Sequence, residues 1–207
     1  MGTIKQGILG DFSGKVGNVI GYKRNGVNYL RAQAACISNP RTKEQQKQRE
    51  KFSAAMCFLK AVNPFIRIGY KNYTQGRTAY NTALSYLLKR AIVVNGEQKE
   101  INFKQAMVSI GFLMPVFNAS AKYDNNKMIF QWEDNSGTGN AEATDVAMLL
   151  VYNKEKGISL YNMIAATRAD SFAQIDLPEE WGKNTLIPYL SFTSTDGEEV
   201  ANSICLI

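Results

Sequence analysis

From Val116 to the end of the chain, short runs of β-branched and aromatic residues are broken by turn clusters about every 8 to 14 residues. That is the rhythm of an all-β sandwich of short strands joined by tight turns. Strands are expected near 116–123, 127–133, 145–153, 159–167, 171–177, 185–193 and 199–205, with turns at Asp124-Asn125-Asn126, Asn135-Ser136-Gly137, Lys156-Gly157, Pro178-Glu179 and Asp196-Gly197. Seven strands complete one small antiparallel sandwich of the fibronectin III or immunoglobulin kind. Trp132 and the run Tyr189-Leu190-Ser191-Phe192 sit where such a core places large aromatics, while Trp181, after Pro178-Glu179-Glu180, either closes the end of the sandwich or meets a partner.

The first part of the chain reads differently. Gly7 to Gly17 is glycine-rich and suggests a loop or extended arm. A β-hairpin follows, with Val16, Val19, Ile20 and Tyr22 on one arm, Asn25-Gly26 as a type I′ turn and Val27 to Arg31 returning. Pro40 keeps Asn39 extended, and Thr42 with Gln45 three residues on forms a capping box, so a helix should start at Lys43. Phe52, Ala55, Met56 and Leu59 mark its apolar face, and Pro64 should limit it to about 20 residues. A second helix is expected after Gly76, carried by Tyr80, Leu84, Leu87, Leu88 and Ala91 and ended by Asn95-Gly96. Between them, Ile66 to Tyr70 reads as a further helical turn or a short strand. The expected fold is therefore α+β: a β-hairpin and helical hairpin over 1–115, then an antiparallel β-sandwich over 116–207.

Charge divides along the same line. Residues 1–115 hold 18 Lys/Arg against 5 Asp/Glu, a net of +13, whereas residues 116–207 hold 6 against 13, a net of −7. Such complementary halves favour attraction between copies and argue against a uniformly basic nucleic-acid binder. Histidine is absent, which excludes Ser-His-Asp and Cys-His hydrolases and removes the commonest zinc ligand. Cys36, Cys57 and Cys205 lie far apart without C-x-x-C spacing and read as small buried hydrophobes. Met1 to Gly7 has no apolar signal-peptide core, and no apolar stretch is long enough to span a bilayer, so a cytoplasmic or virion-associated protein is expected.

Three constellations invite a chemical reading. Gly10 to Val16 resembles a P-loop only superficially: three residues separate the glycines, and Val16 replaces the magnesium-binding Ser/Thr after Lys15. The carboxylate pairs Glu133-Asp134, Glu142 with Asp145, Glu179-Glu180 and Glu198-Glu199 fall mostly in turns and read as surface charge, with a weak calcium site around Asp134, Asn135 and Asp145 as the alternative. The third constellation is basic: Lys23, Arg24, Arg31, Arg41, Lys43, Lys47, Arg49 and Lys51, with Tyr22, Tyr29 and Phe52 among them. Basic residues interleaved with aromatics form either a protein-assembly surface or a nucleic-acid surface. With Trp181 they are the candidate binding residues, and no catalytic, cofactor or metal residue is assigned.

The chain resembles an uncharacterised protein family of Bacteroidota. The resemblance rests on Ile4-Lys5-Gln6-Gly7-Ile8-Leu9-Gly10 with Phe12-Ser13-Gly14-Lys15-Val16-Gly17; on Asn39-Pro40-Arg41-Thr42 with Gln45, Arg49 and Phe52; and on Trp132-Glu133-Asp134-Asn135, Asp145, Arg168-Ala169-Asp170, Asp196-Gly197 and Asn202-Ser203. The Asn-Pro-Arg-Thr helix start is also similar to segments of phage-encoded proteins. The resemblance implies a basic N-terminal region joined to a fibronectin-like C-terminal one, and it carries over no catalytic residue. The expectation is a non-enzymatic structural or protein-binding module that self-associates or joins a larger assembly, with nucleic-acid binding through the basic half as the alternative.

Overall fold

The computed structural model describes residues 3–4, 12–24, 26–36, 39–74, 76–95 and 98–207. The chain forms two compact units, Met1–Gln45 and Gln46–Ile207. Position 115, where charge and pattern divide the sequence, lies inside the second unit.

The first unit is an antiparallel sheet of β1 (Thr3–Ile4), β2 (Phe12–Val16), β3 (Val19–Arg24) and β4 (Val27–Ala32), hydrogen-bonded in that order. The expected hairpin is present, with Arg24 paired to Val27 and Gly26 at φ +81°. Asn25, the other turn residue, lies outside the described residues, as do Gly7 to Asp11 of the expected arm. The rest of that arm is strand: Gly14 at φ +109° is accommodated in β2, opposite Gly21. Because Phe12 to Val16 runs into a hairpin, Lys15 is not at a helix N-terminus and has no phosphate-cradling geometry of the P-loop kind.

Helix α1 (Lys43–Gly69) begins where expected, with Thr42 Oγ1 accepting from the Gln45 amide at 3.3 Å. It runs 27 residues, through Pro64. Proline lacks the amide that would bond back to the Lys60 carbonyl, a loss that normally ends a helix. Here Val62, Phe65 and Ile66 flank it and are all fully buried, and their burial outweighs one missing bond. The buried stripe is Ala55, Phe58, Leu59, Val62, Phe65, Ile66 and Gly69, so the apolar face starts later than Phe52, which is exposed. A short 3-10 turn (Lys71–Tyr73) leads to α2 (Ala79–Arg90), capped by Thr78 Oγ1 on the Asn81 amide at 3.2 Å. The second helix stops before Asn95, because Ile92 to Asn95 is itself a strand, β5 (Ile92–Asn95), paired with β6 (Gln98–Ile101). The β-branched run Ile92-Val93-Val94 favours that extended state.

Seven strands follow: β7 (Phe117–Asp124), β8 (Lys127–Glu133), β9 (Val146–Asn153), β10 (Ile158–Thr167), β11 (Phe172–Asp176), β12 (Leu186–Thr193) and β13 (Ile204–Cys205). They lie within two residues of expectation except β13, which is shorter; isolated bridges hold Val200 to Thr193 and Ala201 to Leu113 instead. Asn125 and Asn126, at φ +44° and +62°, make the tight β7–β8 turn. The strands divide into a three-stranded sheet, β11-β8-β7, and a four-stranded sheet, β10-β9-β12-β13.

The four-stranded sheet is covered on both faces. Ala147, Leu149, Val151, Leu190 and Phe192 meet Met128, Phe130, Trp132, Ala173 and Ile175 of the smaller sheet in one core. Met148, Leu150, Tyr152, Ile187 and Tyr189 meet Ala55, Phe58, Leu59 and Val62 of α1 and Ala83 and Leu87 of α2 in another. Phe58 stands edge-on to Tyr152, with ring centroids 5.0 Å apart, and Phe103 and Tyr189 complete the cluster. Residues 106–114 stitch the two cores together: Ser203 Oγ accepts from the Val108 amide at 2.9 Å, and the Gly111 amide donates to Asn202 Oδ1 at 3.1 Å. A side chain at Gly111 would run into the Val200 carbonyl.

Since Pro64 is exposed and its ring makes no core contribution, Pro64→Ala should restore the missing bond at no packing cost. The expected result is a stabilisation of about 1–3 kcal/mol, read as a raised midpoint in thermal unfolding followed by circular dichroism.

Candidate functional site

The basic residues singled out in the sequence do lie at the surface. Lys23 and Arg24 are on β3, Arg31 on β4, Arg41 and Lys43 around the start of α1, and all five are exposed in the first unit. Lys47, Arg49 and Lys51 are on α1 in the second unit, Lys51 half-buried. Trp181 is not a surface residue: it is 2% exposed and packs into the core between the two sheets, closing one end of it. The sequence could not separate these roles because a tryptophan in a loop fits both.

Strand register sorts the first unit's side chains onto two faces. Gly14 opposite Gly21, and Gly21 opposite Leu30, put Val16, Val19, Leu30 and Ala32 on one face. Leu30 is 66% and Val16 51% exposed, so this apolar face has almost no core of its own. The opposite face carries Lys15, Ile20 and Arg31 in one cross-strand row, Tyr22 and Tyr29 in the next, and Arg24 and Val27 in the third. The tyrosine rings stack, with centroids 5.4 Å apart and planes at 15°.

In the second unit the buried charged residues and Asn135 form one network. Arg168 is fully buried and Asp145 is 1% exposed. Arg168 places Nε and Nη2 each 3.0 Å from Asp145 Oδ2, donates from Nη1 to Asn135 Oδ1 at 2.7 Å and from Nη2 to the Met114 carbonyl at 2.9 Å. Its guanidinium also sits 4.5 Å from the centroid of the Phe192 ring, while its carbonyl accepts from Trp132 Nε1 at 2.8 Å. Asp145 Oδ2 also accepts from the Glu142 amide, and Asn135 Nδ2 donates to the Pro115 carbonyl. Such saturation is what lets charge remain in an apolar core. Asp145 and Asn135 are thereby committed to a guanidinium, and the calcium alternative fails. Among the described residues no cluster of His, Cys, Asp or Glu is arranged to hold a metal ion.

Most of the remaining candidate carboxylates have a partner. Glu133 accepts from Asn118 Nδ2, Asp134 from the Ser136 amide, Glu180 pairs with Lys156, and Glu199 accepts from Asn140 Nδ2 at 2.7 Å. The Lys156 hydrogen bond and charge hold Glu180 below the usual carboxylate range; the Ser194 hydroxyl does the same for Asp196 and the Thr167 hydroxyl for Asp170. Each shift favours the ionised form, the opposite of what a general acid needs. Ser109 Oγ and Ser191 Oγ lie 2.7 Å apart and 2.8 and 3.1 Å from the Ala201 carbonyl, so one hydroxyl donates to the other and the second to the carbonyl, and both are spent inside the core.

Two clefts of opposite charge occur in the second unit. One, of about 730 Å³, is lined by Tyr86, Lys89, Arg90, Lys104, Gln105 and Met107. The other, of about 550 Å³, has Glu142, Asp196, Glu198 and Glu199 among its walls. No helix among the described residues is long and apolar enough to cross a membrane.

The cysteines depart from expectation. Cys36 and Cys57 are exposed, and only Cys205 is partly buried. Cys57 follows the apolar stripe of α1 but sits on its outer side, a distinction the helix phase could have shown. Burial pushes the Cys205 thiol up to about 11. Its thiolate is therefore scarce at pH 8, and the folded protein should show two fast thiols and one slow one with a disulfide reagent, all three becoming fast in denaturant.

Removing one partner of the buried pair leaves the other uncompensated. Arg168→Met should destabilise the second unit by about 3–5 kcal/mol, and Asp145→Leu by a similar amount; the double replacement should recover part of the loss in denaturant titrations.

A family model described as a family of unknown function (DUF6266) matches residues 11–207. The comparisons with curated proteins and with solved structures gave no match.

Proposed function

The chain belongs to the DUF6266 family of unknown function, and we propose that it is a non-enzymatic structural module that works by binding protein, with a second copy of itself as the partner. The observation that carries this reading is the first unit's apolar face: Val16, Val19 and Leu30 stand exposed on a sheet with little to bury them. A small sheet of that kind gains stability only when its apolar face is covered. Charge favours a second copy as the cover, since the net +13 of residues 1–115 complements the net −7 of residues 116–207. The oppositely charged clefts of the second unit support the same head-to-tail arrangement, which closes into a ring or extends into a filament according to the rotation between copies.

On this reading the seven C-terminal strands form a fibronectin-type sandwich. Support comes from their three-plus-four division, with β7, β8 and β11 in one sheet and β9, β10, β12 and β13 in the other. A repeating lattice such as a virion or a mobile-element particle, in Bacteroidota or their phages, is the setting that suits a module of this design.

Sedimentation velocity on the full chain tests the proposal. Self-association should appear as concentration rises, weaken with added salt, and fall at least tenfold in Leu30→Asp. A protein that stays monomeric at high concentration and low salt would end it.

A further inference from the structure

The other face of the N-terminal sheet has a stacked aromatic pair that self-assembly does not need. Tyr22 and Tyr29 lie side by side across β3 and β4 with nearly parallel rings, each about two-fifths exposed. Along the strands, one row of side chains to one side of this pair holds Lys15 and Arg31, and one row to the other side holds Arg24. Rows on one face of a strand repeat every two residues, about 7 Å. The two aromatic planes are thus bracketed by cations at both ends. Lys15, Arg24 and Arg31 are exposed and have no carboxylate partner among the described residues.

We infer that this face is a binding platform for single-stranded nucleic acid, with Tyr22 and Tyr29 stacking on bases and Lys15, Arg24 and Arg31 taking the phosphates. A flat surface ion-pair site would need the cations alone. The stacked pair adds a feature that matches bases: every base has a π-face, and an unpaired base can extend the tyrosine stack from the outer face of either ring. A duplex keeps its bases stacked on one another, so the tyrosines would contribute nothing there. An acidic peptide would satisfy the three cations and leave the aromatic pair unused. The platform is independent of the apolar face, because side chains on one strand alternate between the two. It also places the basic and aromatic residues noted in the sequence in two classes: Lys15, Arg24, Arg31, Tyr22 and Tyr29 share this face, whereas Lys23 projects to the opposite one.

Fluorescence anisotropy of the full chain with a labelled oligothymidylate and an RNA of mixed sequence tests the inference. Binding should be detectable at low ionic strength and fall steeply with salt. Tyr22→Ala and Tyr29→Ala should each weaken it by about tenfold, while Tyr22→Phe and Tyr29→Phe, which keep the ring, should leave it nearly unchanged. Lys15→Ala, Arg24→Ala or Arg31→Ala should each lower the salt slope by about 0.7. Circular dichroism of each variant guards against unfolding, and the phenylalanine variants preserve the cross-strand packing if the alanine ones lose it. Absence of binding at low salt would overturn the platform, as would binding that is unaffected by the alanine variants or matched by polyglutamate. Leu30→Asp, which disrupts the assembly face, should leave oligonucleotide affinity intact, so failure of self-association and failure of this platform are read separately.

Discussion

Burial of β9 on both faces is the constraint on which the second unit depends. Its residues from Ala147 to Asn153 are all buried, and successive side chains serve different cores. A strand with water on one face can alternate polar and apolar residues; one sandwiched between a sheet and two helices cannot. The run Val146-Ala147-Met148-Leu149-Leu150-Val151-Tyr152 meets that demand. Loss of either covering layer would expose half of it. The helices and the C-terminal strands therefore stand or fall together, and the long α1, carried through Pro64, supplies the outer cover.

The buried Arg168 network fixes how the open end of the double-sheet core is finished. A guanidinium can occupy that position only because Asp145, Asn135, the Met114 carbonyl and the Phe192 ring surround it. Apolar residues of the same volume could fill such a space at least as stably, but they would not tie four separate segments to one geometry. The motifs that carry the family resemblance in this half, Trp132 to Asn135, Asp145 and Arg168 to Asp170, converge here. There they tie separate segments of the chain to one another.

The first unit follows the opposite economy. Its described residues are nearly all exposed, and its strands carry an apolar face on one side and a cationic, aromatic face on the other. The buried core lies in the second unit, and exposed apolar and aromatic side chains are prominent in the first. Both proposals for function therefore rest on the first unit, and they use its two faces separately.

The strands from Phe117 to Thr193, the Asn-Gly hairpin and both helix starts were legible in the sequence, because turn residues, caps and side-chain alternation are local signals. Pro64 misled, since the cost of a missing bond is local but the burial of Val62, Phe65 and Ile66 that outweighs it is not. The burial of Trp181 depends on which neighbours arrive from elsewhere in the chain. So does the largest point, that residues 46–115 share a core with the sheet: the unbroken apolar run of β9 signalled a second covered face without saying what covers it. Local chemistry by itself determined where both helices and most of the C-terminal strands begin and where the charge lies. Only the tertiary structure decided which faces meet, because partners distant in sequence, Phe58 with Tyr152 or Asp145 with Arg168, leave no periodic trace in the segments that hold them.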